Sequence, residues 1–456
     1  MTRFYRSTSI ILTVVMVMTC LVTSCRRKGS DFPDIDYPED PEMTESSAET
    51  TPDDIDIIIP TITVASPYSN EAITYLAKLY YCKNNDLLGE NTGATVSLDF
   101  LDGIDPDFIV DSILTSGEGA SVDNILMWNL SDRGTPDVFL TDSVSAMQRN
   151  DLICPLNEYI SDSVLLSPGR VYSGALNSVA FNGSYYAIPF YETVMVLAGN
   201  TDYIPSSGKL SFKNSTTQFE EYLSSMKAEY NCIPLSSGYD LAPYLNSAFV
   251  DDNAVSFMMH DEYRTDNAAT VEIIGNTLGY LNGLYSNGLT ANLSDNGTNP
   301  VFARQAGLWL ITSSEVSNWE QYFPSSLYYV ALPCSSDSAS ITPMARLYSL
   351  CVNQYSASKE FASEFALFMA LDPDARMLLE RLEPQVGFLP CVKSQDVWNI
   401  VTEETIFGQT ASYYSQALDR AVYCPSQTDD LYIAVTDYLS NYNGGAFDAG
   451  ACYGLR

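Results

Sequence analysis

The stretch SYYAIPFYETVMVLAGN, residues 184–200, decides how the rest of the chain is read. Pro189 lies inside an apolar run. Because proline lacks a backbone donor and has a fixed φ, it predicts a strand edge or a crossing between two bodies, not a core strand. Residues 193–198 favour β structure and end at Gly199 and Asn200, so they predict one short buried strand. A new α/β unit is therefore predicted to begin after Pro189.

The length and composition indicate two folded lobes with a strongly acidic surface. The chain has 456 residues, of which 46% are hydrophobic, and this length is more than one ordinary core requires. Its formal net charge is −35. Such a field repels phosphate backbones and anionic lipid head groups, so nucleic acid is excluded as a partner. Any contact with a membrane must then depend on an interaction other than electrostatic attraction.

The first 25 residues have the pattern of a secretory signal. Arg3 and Arg6 precede an apolar run at residues 10–17, and LVTSC follows at residues 21–25. The apolar run is short for a helix that spans a bilayer. An ordinary signal peptide and a single membrane anchor remain the alternatives to a lipidation signal that ends at Cys25.

The segment that follows is predicted to stay unfolded. Residues 31–56 contain 11 carboxylates and no Lys or Arg, so they cannot bury enough apolar surface to fold. We interpret residues 25–56 as a disordered acidic tether that acts as a stalk. The alternative is a disordered tail without a function, which would have the same composition.

The first half of the folded region shows a β, α, β order. We predict a strand at residues 57–64, a helix at 70–81 with Ser69 as its N-cap, and a strand at 95–101. A short buried strand is predicted within residues 135–142. This order favours a parallel sheet with helices packed against it.

The second half contains further helix and strand patterns. Helices are predicted at residues 217–230 and 272–284, and a strand is predicted at 346–353. The next helix is predicted to begin after Ser356 or Ser358, with a phenylalanine stripe that packs in the core. Asp372 and Pro373 then predict the N-cap and first residue of another short helix.

Several segments in this order resemble the family 1 extracellular solute-binding proteins, which are the sugar-binding lipoproteins of bacterial ABC importers. The resemblance extends over residues 57–440. The matching segments are PDVF at 136–139, residues 152–160, the YAIPFY crossing at 186–191, the helix-to-strand unit at 303–312, a second crossing at 327–333, NQYSASKEF at 353–361 as the third crossing, and GFLP at 387–390.

This resemblance implies an α/β, two-lobe, periplasmic-binding-protein-like (type II) fold with three interlobe crossings. Residues 1–24 would be the signal peptide. Lobe one would comprise residues 57–189 and 333–354, and lobe two residues 194–330 and 356–456. Cys25 resembles the lipobox cysteine of bacterial lipoproteins, which is diacylated and becomes the mature N-terminus.

The function implied is capture of a small solute, most of all a carbohydrate, by a monomer on the outer face of the cytoplasmic membrane. The solute would then pass to the permease subunits of an ABC importer. The alternative is a surface glycan-binding adhesin or sensor lipoprotein on the same fold, because fold does not fix function.

The sequence offers little chemistry for catalysis or metal binding. The one histidine, His260, stands in MMHDE without metal-ligand or triad spacing, and no Cys-x-x-Cys, Gly-x-Ser-x-Gly or His-Glu-x-x-His occurs. We predict no enzyme activity, no cofactor and no metal. Eight cysteines follow Cys25, and since they allow 105 pairings, no disulfide is assigned.

Sugar binding requires flat apolar faces and planar hydrogen-bonding side chains. Each candidate aromatic residue has interior packing as its alternative. Trp309 and Trp319 were also considered, and Trp309 is favoured as core because leucines flank it. The candidates near the expected cleft are Tyr68, Thr141, Asp142, Tyr191, Glu192, Ser313, Ser314, Glu315, Arg346, Phe388 and Tyr423.

Two of these candidates are charges where the family usually has small or aromatic residues. Ser313, Ser314 and Glu315 replace the family's Gly-x-Trp, which weakens the case for an oligosaccharide. Arg346 offers a planar fork of donors and would suit an acidic or highly hydroxylated ligand. A structural pair with Glu315 or Asp337 would explain Arg346 equally well.

Overall fold

The computed structural model describes residues 59–423, except for 118, 132–133, 161–162, 238–240, 242–267, 292–298, 335–341 and 404–407. The predicted signal sequence, Cys25, the predicted acidic tether, His260 and Asp337 lie outside the described residues. In the part that is described, no helix combines the length and the apolar character that crossing a bilayer requires.

The described region alternates strands and helices along most of its length. Its strands are β1 (Thr61–Ser66), β2 (Ile109–Leu114), β3 (Val138–Thr141), β4 (Ala180–Phe181), β5 (Ser184–Tyr185), β6 (Ile188–Asn200), β7 (Ile233–Leu235), β8 (Ala306–Thr312), β9 (Leu327–Ala331), β10 (Met344–Val352), β11 (Leu389–Pro390) and β12 (Val422–Tyr423). Its α-helices are α1 (Asn70–Asn84), α2 (Leu98–Asp102), α3 (Val122–Asn129), α4 (Val144–Arg149), α5 (Asn157–Ile160), α6 (Ser173–Ser178), α7 (Thr216–Glu229), α8 (Ala268–Ser286), α9 (Val316–Tyr322), α10 (Lys359–Leu371), α11 (Pro373–Leu382), α12 (Gln395–Glu403) and α13 (Gly408–Ser415).

Strand β6 connects the two lobes. The main sheet has the order β2-β1-β3-β10-β6-β8-β7, with β9 and β11 also paired to β6 and β12 paired to β10. The first half of β6 pairs with β10, and its second half, from Met195 onward, pairs with β8 and β9. All 13 residues of β6 are buried. One strand therefore belongs to both lobes.

Three hydrophobic clusters fill the space around this sheet. The first core lies in lobe one and packs β1 against α1, α10 and α11. The third core lies in lobe two and includes Leu223 of α7 and Leu308 of β8. The second core covers the opposite face of the sheet and contains residues from both lobes, such as Phe139 and Trp309.

Several predictions of local structure are confirmed. Ser69 caps α1 by accepting a hydrogen bond from the Ala72 amide. Helices α7 and α8 cover the two segments predicted as helices in lobe two. Asp372 caps α11 by accepting from two amides, with Pro373 as the first helical residue. Helix α10 begins after Ser358, as predicted.

The strand predicted at residues 95–101 is wrong. Ser97 accepts a hydrogen bond from the Phe100 amide and begins the short helix α2. The apolar residues that suggested alternation are therefore spaced along a helix turn. The second parallel strand is β2, which lies at the edge of the sheet with three of its six residues exposed, and its sequence IVDSIL does not alternate apolar and polar residues.

Pro189 does not interrupt the strand, contrary to its reading as a joint. It is the second residue of β6 and pairs with Ser349, at the position where the register with β10 shifts. A bulge at this position tolerates a residue without an amide donor, because the ladder is already locally disrupted. The short strand predicted at 193–198 is accordingly the middle of a longer one.

The residues after 356 begin in lobe one, not in lobe two. Phe365 of α10 and Leu379 of α11 are buried in the first core, together with Ile62 and Val64 of β1. The phenylalanine stripe of α10 thus packs in the core, as predicted, but in the other lobe. After α11, the short strand β11 pairs with Tyr191 and Glu192 of β6.

Candidate ligand-binding cleft

The candidate cleft lies where β6 passes between the lobes. Thr141, the last residue of β3, pairs with Ser349, which in turn pairs with Pro189, whereas Thr312 at the end of β8 pairs with Met195. The intervening segment of β6 spans roughly 16 Å at the usual rise of a strand. The carboxyl ends of β3 and β8 thus lie level with the two ends of this segment. In open α/β sheets, ligands bind outside such ends.

One face of β6 changes its surroundings along this segment. Phe190 and Tyr191 pack in the first core, while Met195 packs in the third core. Thr193 lies between them and pairs with Arg346 of β10. Both side chains are buried, with Arg346 4% exposed. We call Tyr191, Thr193, Arg346 and Tyr348 the junction face, because they lie between the core of lobe one and the core of lobe two.

Aromatic rings dominate the lobe-one end of the junction face. The ring of Tyr191 lies 4.5 Å from that of Phe388 and 5.2 Å from that of Tyr348, measured between centroids. The Tyr191 hydroxyl donates to the carbonyl of Gly117 at 2.6 Å. Phe388 is the partly exposed ring of this group. Tyr191 and Tyr348 are buried beneath it, so Phe388 is the ring of this group that presents an apolar face to solvent.

A hydrogen-bonded contact joins the loop of Phe388 to the end of β8. The Ser313 hydroxyl donates to the carbonyl of Gly387 and accepts from the amide of Val194 on β6. Gly387 has a φ of +81°, and a Cβ atom there would lie 2.0 Å from the Ser313 carbonyl oxygen. Only glycine permits this approach. Ser313 thus positions the loop at the junction and is fully buried.

The remaining lobe-one candidates follow strand ends. Thr141 is buried, and its hydroxyl donates to the Ala120 carbonyl at 2.8 Å. Asp142 is partly exposed and accepts from the Ser143 hydroxyl at 2.9 Å. Tyr68, two residues after β1, is buried against Phe190. Asp142 is the member of this set with access to solvent and a carboxylate for ligand hydroxyls.

The lobe-two candidates after β8 have local structural roles. Glu315 is exposed, and its carboxylate accepts from the amide of Thr312 at 2.7 Å, which completes a capping box. The Ser314 hydroxyl is bonded to that of Thr312 at 2.9 Å. No ion pair joins Glu315 to the buried Arg346 of the junction face. The structural pair considered between these two residues is therefore not formed.

Glu192 and Tyr423 face away from the junction face. Both are buried, and Glu192 pairs with Leu347 and Leu389, which belong to the second core. Neither carboxylate oxygen of Glu192 has a hydrogen-bond partner among the described residues. Burial raises the pKa of Glu192 to about 8, and the nearby Tyr423 hydroxyl partly offsets this effect. We assign both residues to the hinge core instead of the cleft.

The two tryptophans pack away from the junction. Trp309 is 2% exposed and lies 5.4 Å from both Trp319 and Phe323, so its favoured assignment to the core is confirmed. Trp319 is partly exposed and stacks on Phe302. Neither tryptophan contacts the aromatic rings of the junction face.

Three functional positions were missed by sequence reasoning. Gly117 and Gly387 supply carbonyl groups, which no side-chain pattern reveals. Ser237, after β7, is buried and accepts from the Leu310 amide at 2.6 Å, so it fixes the end of β8 from the other side. The turn signal SGEG at 116–119 was available, but the misplaced second strand left it without a structural context.

The described residues contain no cluster of three or more His, Cys, Asp or Glu side chains arranged to hold a metal ion. Nor does any disulfide join two of the six described cysteines. Burial raises the pKa of the Cys351 and Cys391 thiols, which favours their neutral form. These cysteines act as small apolar residues of the core.

Replacing Glu192 should change how stability depends on pH. The folded chain retains the Glu192 proton up to about pH 8, whereas the unfolded chain releases it near 4.5. The free energy of unfolding should therefore fall as pH rises between these values. Glu192→Gln removes this contribution, so the variant should become progressively more stable than the wild type, by a few kcal/mol at high pH.

Urea unfolding at a series of pH values measures this difference. Glu221→Gln, on the exposed side of α7, is the matched control and should follow the wild type. Parallel pH profiles for the wild type and Glu192→Gln would contradict the assignment of a buried, protonated carboxyl.

Several solved structures with a similar fold are described as sugar-binding or sugar-transport proteins. No protein-family model matches the chain, and no curated protein matches it in sequence. MalE of Xanthomonas citri aligns over 87% of this chain and 95% of its own, with a TM-score of 0.64 and 14% identity. A sugar transporter of Rhizobium etli, in an open conformation, aligns over 84% and 96%, with a TM-score of 0.60 and 16% identity.

A third similar structure is the cyclic alpha-maltosyl-1,6-maltose binding protein of Arthrobacter globiformis. It aligns over 87% of this chain and 95% of its own, with a TM-score of 0.59 and 14% identity. At these identities the likeness concerns the fold. The chain therefore has the two-lobe α/β fold of the sugar-binding proteins of ABC importers, as its resemblance to the family 1 solute-binding proteins implies.

Proposed function

We propose that this protein captures a small carbohydrate between its two lobes and delivers it to an ABC importer. The observation that carries the proposal is the junction face on β6, which lies between two separate cores and is flanked by the carboxyl ends of strands from both lobes. A ligand held there would contact both lobes at once. Ligand binding would then favour a closed arrangement that importer subunits can recognise.

The side chains at the junction suit a hydroxylated ligand. Tyr191, Tyr348 and Phe388 supply ring faces, while Thr193, Ser314 and Asp142 supply hydroxyl and carboxylate groups. Arg346 adds a guanidinium, which binds vicinal hydroxyls or a ligand carboxylate in a bidentate manner. Such a mixture of flat apolar faces and a few placed polar groups is typical of sugar sites. The proposed role is binding, without catalysis.

The protein would act at the outer face of the cytoplasmic membrane as a lipid-anchored monomer. This part of the proposal rests on the sequence LVTSC at residues 21–25 and on the acidic segment after it. Two acyl chains on Cys25 anchor a protein stably without a basic patch. An acidic tether of about 30 residues would hold the folded body away from the lipid surface.

Binding is tested by a thermal-shift screen of mono- and oligosaccharides. A sugar that binds the native state raises the melting temperature by mass action. Phe388→Ala should weaken binding of the best sugar by about tenfold or more, because it removes the exposed ring of the junction. Phe361→Ala, a half-buried ring of the first core outside the junction, is the matched control and should retain the wild-type affinity.

If no sugar in the screen raised the melting temperature, the carbohydrate assignment would be contradicted. Equal loss of affinity in the Phe388 and Phe361 variants would show that the effect is one of stability and would remove Phe388 from the site.

The anchor is tested separately. Cys25→Ala should abolish recovery of the protein in the membrane fraction, while the folded body keeps its melting temperature, because the acylated residue lies outside it. Fractionation of cells that express each form measures this change. Membrane recovery of the variant equal to that of the wild type would contradict lipidation at Cys25.

A further inference from the structure

A buried ion pair lies behind the aromatic rings of the junction. Arg376 of α11 is 1% exposed, and its Nη2 atom donates to Oε1 of Glu380, one turn later, at 2.8 Å. Glu380 is also buried, and its second oxygen accepts from the Gln385 amide at 3.4 Å. Gln385 begins the loop that carries Phe388. The pair therefore contacts the loop as well as the helix.

The guanidinium also contacts the rings themselves. It lies over the face of Phe190, 4.4 Å from the ring centroid, where the quadrupole of the ring attracts a cation. Tyr68 meets Phe190 edge to face at 6.0 Å, and its hydroxyl is beside Arg376. The Phe190 ring in turn lies 4.9 Å from Tyr191, which contacts Phe388. Arg376 is thus at the base of a continuous series of rings.

Stability alone does not account for this arrangement. Nε and Nη1 of Arg376 have no hydrogen-bond partner among the described residues. A buried ion pair with unmet donors loses much of its attraction to desolvation, and apolar side chains of similar volume often replace such a pair without loss of stability. An apolar pair would not, however, hold a ring face by cation–π attraction.

We propose that Arg376 is a positioning residue of the ligand site, which, anchored by Glu380, fixes the orientation of Phe190 and Tyr68 and through them that of Tyr191 and Phe388. This role rests on the proposed function, since it assigns those last two rings to ligand contact. Helix α11 does not itself end at the junction. Through Arg376, however, it would determine how the aromatic rings of the cleft are oriented.

The test separates ring order from stability. The double variant Arg376→Met/Glu380→Leu replaces the pair with apolar side chains of similar volume and should unfold at a urea concentration near or above that of the wild type. Amide exchange of the loop at residues 385–388 should nevertheless rise about tenfold, and the near-ultraviolet circular dichroism of the tyrosines should weaken.

Lys83→Met is the matched control. Lys83 pairs with Asp372 and Asp374 at the other end of α11, at 2.8 and 2.6 Å, and does not contact the rings. This variant should leave the loop exchange and the dichroism unchanged. Should the double variant fail to fold, Glu380→Gln keeps the guanidinium in place with a weaker anchor and should give a smaller change of the same sign.

Maltotriose is the probe for binding, measured by calorimetry on the full chain. Its affinity should fall about tenfold or more in the double variant and less than about twofold in Lys83→Met. If the wild type does not bind maltotriose but the loop exchange rises as expected, the positioning role stands and only the choice of sugar fails. Unchanged loop exchange and dichroism in the double variant would overturn the proposal.

Discussion

Both lobes depend on one strand, β6, which is buried along all of its 13 residues. Because side chains alternate along a strand, one face of β6 serves the core of lobe one in its first half and the core of lobe two in its second. On this face the two cores are separate clusters, and β10 and β8 pair with different halves of the strand. We propose that the short segment between them binds the ligand and absorbs the change in lobe orientation on closure.

The two faces of this segment carry different kinds of side chains. The junction face carries rings, a hydroxyl and a guanidinium. The opposite face carries Glu192 in a continuous apolar core, where burial raises the pKa of its carboxyl. Arg376 is a charged side chain that is buried to a similar extent. Buried polar groups of this kind lower stability and are commonly retained at functional sites. Here both are adjacent to the segment where the lobes meet.

Local signals in the sequence predicted much of the fold. Ser69 and Asp372 cap the N-termini of their helices with their own side chains, so these helix starts could be predicted from a few residues. Strand β2 was missed because an edge strand needs no apolar alternation. The packing of α10 in the first core was missed because the core in which a helix packs depends on residues distant in sequence. The Ser313 to Gly387 contact joins positions 74 residues apart, one of them through a carbonyl group. The ring candidates were found by composition, but their order and the role of Arg376 follow only from packing.

Closure of the two lobes around a bound sugar is the central claim, and small-angle X-ray scattering measures it most directly. The full chain should be measured alone and saturated with the sugar that gives the largest thermal shift, with saturation verified by calorimetry. A decrease in the radius of gyration on binding is the expected result, because the junction segment of β6 lets the lobes approach each other. Superimposable scattering curves with and without the saturating sugar would contradict the account.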